Sequence, residues 1–272
     1  DDPNGLDVRP AGAMTAPLRF EASVDSALTQ QLGQFDLTGS LGFARNETGE
    51  TGLADGGVLD NSPENRTRLS GGMRLGYKLT PIFGVFVSGN AARDEFDVPD
   101  PALGARRSGW DYAARTGVTA NWHDATTLEA SIGYGWRRFD APALPESRSL
   151  LYALALGYSP DPALRLRAAL DTAIAPGTGS NAGSIDHTLS LEAAYRVSQW
   201  LGLRGTASGS WSEAQGTGDL TRRYGAGVGA DIALGPHSDF SVDYNYGWRS
   251  DPAATPPEAD EHRVSAGVSL QY

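Results

Sequence analysis

His262–Tyr272 reads HRVSAGVSLQY. In an extended chain Val264, Ala266, Val268, Leu270 and Tyr272 fall on one face, and Arg263, Ser265, Gly267, Ser269 and Gln271 on the other. Successive side chains of a strand point to opposite faces, so this segment presents one apolar and one polar surface, with an aromatic residue at its last position. A single such segment decides nothing. Its recurrence along the chain does.

Working back from that segment, Phe240, Val242, Tyr244, Tyr246 and Trp248 alternate with Ser241, Asp243, Asn245, Gly247 and Arg249. Tyr224, Ala226, Val228, Ala230, Ile232 and Leu234 alternate with Arg223, three glycines and Asp231. Leu189, Leu191, Ala193, Tyr195 and Val197 enclose Ser190, Glu192, Ala194 and Arg196, and the same theme runs through Leu201–Trp211, Leu164–Ile174 and Leu128–Arg137. Trp110–Trp122, Asn65–Leu79, Phe35–Arg45 and Leu18–Leu28 repeat it. Phe83–Ala92 and Leu150–Tyr158 are apolar on both faces yet still strand-like.

No apolar run approaches the roughly 18 residues of a membrane helix. A soluble sandwich also alternates, so the content of the polar face has to discriminate. Arg115, Glu129, Arg137, Glu192, Arg196, Asp231, Asp243 and Arg263 stand in mid-strand opposite Leu, Val, Ala and aromatics. That suits a lumen on one side and lipid on the other. Trp110, Trp122, Trp136, Tyr158, Tyr195, Trp211, Trp248 and Tyr272 lie near strand ends, where membrane-interface girdles form. The fold expected is all-β: a transmembrane antiparallel up-and-down β-barrel. The net charge of −11 argues against a nucleic-acid partner, and the absence of cysteine is compatible with an oxidising compartment.

Connections give the orientation. Short joins at Thr29–Gln34, Thr80–Ile82, His123–Thr126, Ser159–Ala163, Ser198–Trp200 and Gly235–Ser238 alternate with long polar ones at Asn46–Glu64, Arg93–Ser108, Asp140–Arg148, Ala175–Asp186, Glu213–Asp219 and Ser250–Glu261. Transmembrane barrels have short periplasmic turns and long extracellular loops, which gives about 14 strands, or about 12 as the alternative. Residues 18–272 form the barrel in this reading. Residues 1–17 supply either a first ascending strand, around Leu6–Thr15, or a segment threading the lumen. The barrel pattern makes the bacterial outer membrane the expected location; the chain opens on Asp1 without an apolar leader and reads as a mature protein whose signal peptide is removed, or as a fragment that lacks it.

The opening DPNGLDVRPAG, the hairpins LSLEAAYRVSQWLGLRGTASGSW and GVGADIALGPHSDFSVDYNYGWRSDP, and the ending HRVSAGVSLQY resemble a porin-like outer-membrane β-barrel family associated with exopolysaccharide biosynthesis loci in proteobacteria. Against typical members the chain looks shorter at its N-terminus. The resemblance implies an outer-membrane barrel acting as a channel or as an accessory to polysaccharide export. It implies as partners outer-membrane lipid, lipopolysaccharide and other envelope or export-complex proteins.

The site expected from the strand register is the charged lining of the lumen: Arg74, Arg115, Glu129, Arg137, Arg165, Arg167, Asp171, Glu192, Arg196, Arg204, Asp231, Asp243 and Arg263. If opposite signs segregate to opposite walls, they set a transverse field across an aqueous eyelet. If they interdigitate, they make a salt-bridged, non-conducting plug in a structural or partner-binding barrel. Neither catalytic residues, nor metal ligands, nor a cofactor are expected. GAGVGA at Gly225–Ala230 lies inside an alternating strand with no helix after it, which removes the context of a nucleotide loop. His187 beside Asp186 and His262 beside Asp260 and Glu261 are the only residues of catalytic type near one rim. The acidic stretch Asp94, Glu95, Asp97 and Asp100 reads as a solvated loop, not a calcium site.

Overall fold

A computed structural model describes residues 14–15, 17–123, 125–177, 181–215, 217–235, 237–252 and 256–270. Its strands are β1 (Arg19–Leu32), β2 (Phe35–Thr48), β3 (Thr51–Gly52), β4 (Val58–Leu59), β5 (Arg66–Lys78), β6 (Phe83–Phe96), β7 (Gly109–Trp122), β8 (Thr126–Phe139), β9 (Ser147–Asp161), β10 (Leu164–Pro176), β11 (Gly183–Arg196), β12 (Leu201–Ala214), β13 (Leu220–Gly235), β14 (Ser238–Ser250) and β15 (Glu258–Leu270). Thirteen of them form one antiparallel sheet in chain order, β1-β2-β5 through β15, while β3 and β4 make a small ribbon in the connection after β2.

The short connections are as tight as their residues allow. Gly33 takes φ +66° between β1 and β2, and His123 takes φ +51° between β7 and β8. Several strands outrun the expected boundaries: β2 reaches Thr48, β6 reaches Phe96 and β9 begins at Ser147. Asp94 therefore belongs to a strand, and its exposure is 0%. Asp100, in the following loop, is also buried. Both depart from the solvated loop expected of that stretch, because the loop folds inward over the sheet.

One face of the sheet is apolar and open. Val24, Leu41, Met73, Val228 and Val268 are all more than 60% exposed there. A water-soluble surface rarely carries so large a continuous apolar area, whereas a lipid-facing one requires it. On this outward face the charged residues of the described strands (Arg45, Glu47, Arg93, Glu95, Arg138, Arg148, Glu213, Arg222, Glu258 and Asp260) lie towards the long-loop end, apart from Asp161 at the last position of β9.

The opposite face is concave. Arg74 on β5 reaches Glu129 on β8, three strands along with β6 and β7 between, at 2.8 Å. Flat strands that far apart lie roughly 14 Å from each other, more than two side chains span comfortably.

The ladder has one interruption. β9 and β10 pair only as far as Ala153↔Asp171, although β9 continues along β8 to Ser147 and β10 continues along β11 to Pro176. Above that point the β10–β11 hairpin leans inward. Ile174 Cδ1 comes within 3.1 Å of where a Cβ on Gly135 of β8 would sit. Arg115 runs from β7 across Gly133 to donate to the Thr172 carbonyl at 2.6 Å, satisfying a backbone acceptor that β9 no longer meets.

Among the described residues β1 and β15 each have one neighbour in the sheet. The strand expected around Leu6–Thr15 falls mostly on residues 1–13, outside the described residues, as does Tyr272. Met14 and Thr15 are not in a strand; Met14 N–H donates to the Gly52 carbonyl and Thr15 Oγ1 accepts from Gly52 N–H at the long-loop end.

Candidate functional site: a charged lumen

Register places all thirteen candidate lumen residues on the concave face: Arg74 on β5, Arg115 on β7, Glu129 and Arg137 on β8, Arg165, Arg167 and Asp171 on β10, Glu192 and Arg196 on β11, Arg204 on β12, Asp231 on β13, Asp243 on β14 and Arg263 on β15. The signs interdigitate instead of segregating, as expected of a plug, but they seal the lumen only at the long-loop end, around Arg137, while the pairs nearer the short turns border open space. Arg74 grips Glu129 through both terminal nitrogens, with its guanidinium 3.6 Å above the Phe86 ring. Arg115 meets Asp171 at 2.9 Å, and Arg204 bridges Asp231 and Asp243 at 2.8 and 3.0 Å. Gly229 makes the last bridge possible, since a Cβ there would strike Asp243 and lie 3.3 Å from Arg204. Arg167 and Glu192 stand 3.8 Å apart, and Arg263 pairs with Glu261. Arg165 and Arg196 are exposed and form no ion pair among the described residues.

Arg137 is the exception to a wet lining, because its side chain is 0% exposed. Its Nη1 donates to Asp94 and Asp111, and Arg68 donates to the same two carboxylates, so two cations and two anions from β5, β6, β7 and β8 close one network. The roof over this network is the loop 97–108. Its Arg107 carbonyl accepts from Arg137 Nη2 at 3.1 Å, while the Arg107 side chain binds Asp100 and donates to the Gly177 carbonyl. Burial pulls the Arg107 guanidinium below the ordinary arginine range, although Asp100 opposes the shift. Phe139, Leu144 and Ala182 pack beside it with Leu103, Ala105 and Ala141, so three connections at the long-loop end share a small apolar core.

Below this plug the lumen opens. A cavity of about 950 Å³ occupies the short-turn half, between β1, β2 and the strands β5 to β11. Its charged lining comes as Arg74 with Glu129, Lys78 with Asp36 and Arg167 with Glu192, joined by Thr29, Thr38, Thr119, Asn121 and Ser190.

The expected girdle residues occupy two levels of the outward face. Trp110, Trp136, Trp211 and Trp248 lie towards the long-loop end, and Trp122, Tyr158 and Tyr195 towards the short turns. The upper level is a stacked series: Trp110 with Tyr112 at 6.0 Å, Tyr112 with Trp136 at 5.3 Å, and Tyr224 with Trp248 at 5.5 Å. His187 belongs to it, held between Tyr152 and Trp211 at 5.5 and 5.6 Å, its Nδ1 bonded to the Tyr152 and Thr172 hydroxyls. Asp186 points to the other face, where it accepts from Ser212. His187 and Asp186 therefore form no dyad. His262 also faces outward, 3.4 Å from Asp260 and bonded to the Tyr244 hydroxyl.

Register reasoning missed the roof altogether. Arg107 and Asp100 sit in a loop, where alternation carries no information. Phe86, Phe96 and Phe139 are inward-facing aromatics that an apolar-out pattern assigns to neither surface.

A sheet that is apolar outside, charged on its concave side, girdled at two levels and connected by alternating short and long joins is the wall of an outer-membrane β-barrel. The family described as "Putative beta-barrel porin 2" matches residues 1–272, and this chain belongs to it. No curated protein sequence matches the chain. Among solved structures, the FrpB iron transporter from Neisseria meningitidis (F3-3 variant) superposes with a TM-score of 0.56 at 8% identity, covering 93% of this chain and 48% of that one. The outer membrane channel DcaP of Acinetobacter baumannii gives 0.50 at 11% identity, covering 92% and 84%. The chain thus spans about half the length of FrpB. These likenesses place the fold among outer-membrane barrels.

Proposed function

We propose that the chain builds the wall of a passive outer-membrane channel for small polar solutes, a role of passage and not of catalysis. The observation that carries the reading is the cavity of about 950 Å³, whose charged lining is arranged in opposite-sign pairs. Paired charges hydrate a passage without imposing a strong field of one sign, so weak ion selectivity is expected. Along β12 and β13 the concave face carries Gly202, Thr206, Ser208, Ser210, Gly225, Gly227 and Gly229, small residues that leave width beside the plug at the long-loop end of β5–β8. A saccharide cargo is the narrower form of the proposal; hydroxyl and amide groups at Thr29, Gln31, Thr119 and Asn121 are compatible with it.

Planar-bilayer recording of the purified barrel tests the proposal. Stepwise currents are expected, with Arg74→Ala, which removes the Glu129 crossbar, raising the unitary conductance. Silence of the wild type and of Arg74→Ala alike would overturn it.

A second reading, a structural barrel that conducts nothing and binds an envelope partner, draws on the Arg68–Asp94–Arg137–Asp111 network and its roof. Silent bilayers together with a protein that co-purifies in stoichiometric amount would favour it.

A further inference from the structure

The outward surface of β6 to β9 ends in an ordered pattern at the long-loop side. On one rung Arg93 faces Trp110, which faces Arg138; on the next rung down Tyr112 faces Trp136, which faces Arg148. Below these come Tyr134, Leu150, Ile132 and Leu154, all exposed. The surface thus passes from aliphatic to aromatic to cationic within a few rungs, the order met along a lipid from acyl chain to headgroup.

The cations are not equally engaged. Asp140 holds Arg93 through two bonds of 2.7 Å, with the Arg93 guanidinium 5.7 Å from the Trp110 ring centre. Arg138 and Arg148 share a single carboxylate: Glu146 takes a 2.8 Å bond from Arg148 and stands 3.9 Å from Arg138. Their side chains are 75% and 63% exposed. Two guanidiniums around one anion leave a local surplus of positive charge on a chain whose net charge is −11. The short-turn end of the outward face carries no cation in the described strands; its one charged position is the anion Asp161, opposite Leu164. The Arg138/Arg148 patch therefore belongs to one leaflet.

We propose that Arg138 and Arg148, with the Trp110, Tyr112 and Trp136 rings beside and below them, bind the phosphorylated glycolipid of the outer leaflet, a lipid A. Guanidiniums match phosphate oxygens in planar, two-pronged geometry and bind them by charge-assisted hydrogen bonds. The aromatic rung beneath offers flat faces to a sugar ring at interface depth. The aliphatic rungs below lie where the acyl chains run. Glu146 is the native counter-ion that the phosphate joins or displaces. The proposal rests on the membrane orientation derived above but not on conduction, since these residues face away from the lumen.

Titration of the barrel in detergent with diphosphoryl lipid A, with the same lipid stripped of phosphate, and with phosphatidylglycerol tests it by native mass spectrometry. Diphosphoryl lipid A is expected to bind tightest, with affinity falling about tenfold or more on dephosphorylation and in R138E/R148E. The neutral pair R138Q/R148Q, measured in parallel, is expected to lose affinity in the same direction while keeping the native strand signal in circular dichroism. Equal binding of the stripped lipid or of phosphatidylglycerol, or wild-type affinity in R138Q/R148Q, would overturn the assignment. Bilayer conductance of the same variants stays at the wild-type value if only the lipid site is changed.

Discussion

Replacing Asp94 by Asn leaves the shape of the buried network nearly intact and removes one of its two negative charges. The wild-type carboxylate, fully buried, takes bonds from Arg68 at 2.6 Å and from Arg137 at 2.8 Å. With an effective dielectric near 20 and charges about 4 Å apart, each such pair is worth about 4 kcal/mol. Part of that returns, because the Asn carbonyl still accepts a hydrogen bond and Asp111 still faces both guanidiniums. A loss of about 3 kcal/mol is therefore expected, at the low end of the range for breaking a buried pair. Guanidinium unfolding of the barrel refolded in lipid vesicles, followed by tryptophan fluorescence, measures it. The internal standard is Asp140→Asn, which breaks the half-exposed Arg93 pair and should cost no more than about 1 kcal/mol. Asp94→Asn combined with Arg137→Met restores neutrality and should be less damaging than the sum of the single changes. If Asp94→Asn costs no more than Asp140→Asn, the network is wet and the loop 97–108 does not seal it.

Two further predictions concern the same wall. The Asp97 and Asp140 carboxyls lie in loops, where hydrogen bonds from Arg45 and Arg93 hold them below the ordinary carboxylate range. Depressed folded values mean that their contribution is complete above the unfolded value of about 3.9 and is lost as pH falls through the folded ones, by less than about 1 kcal/mol each at such exposure. Stability curves of the wild type and of Asp97→Asn/Asp140→Asn should converge below about pH 4, and parallel curves down to acid would refute the pairing. Gly133→Ala should destabilise by about 1–3 kcal/mol, because its Cβ would press on the Ala114 carbonyl and sit 2.6 Å from Arg115 Cγ. Gly205→Ala, with open space around it, should be neutral, and equal midpoints for the two variants would contradict the close crossing of Arg115 over β8.

Alternation made the strands, their faces and the lumen charges legible. Period two is a local property, so Arg74 and Glu129 could each be assigned to the inner face without knowing what lay between them. Their meeting could not be read, because it depends on the curvature that brings β5 towards β8. Arg137 shows the same limit more sharply. Its face was readable, but its burial comes from a loop about thirty residues earlier folding back over the wall, which makes this lumen-facing cation a structural one. His187 was conspicuous beside Asp186, yet neighbours in a strand face opposite ways, and the same alternation that located it also separates the pair.

The interruption between β9 and β10 bears on the mechanics of the mouth. A continuous hydrogen-bond ladder spreads hoop tension evenly round a cylinder. Here the rim above Ala153 and Asp171 is joined by a stacked Tyr152–His187–Trp211 series outside and one Arg115 strut inside. Side-chain contacts stretch and reseat more readily than a register of backbone bonds. Within the paired run from β1 to β15, compliance is expected to concentrate on that line, while the short-turn half of β9 and β10 stays held by backbone bonds.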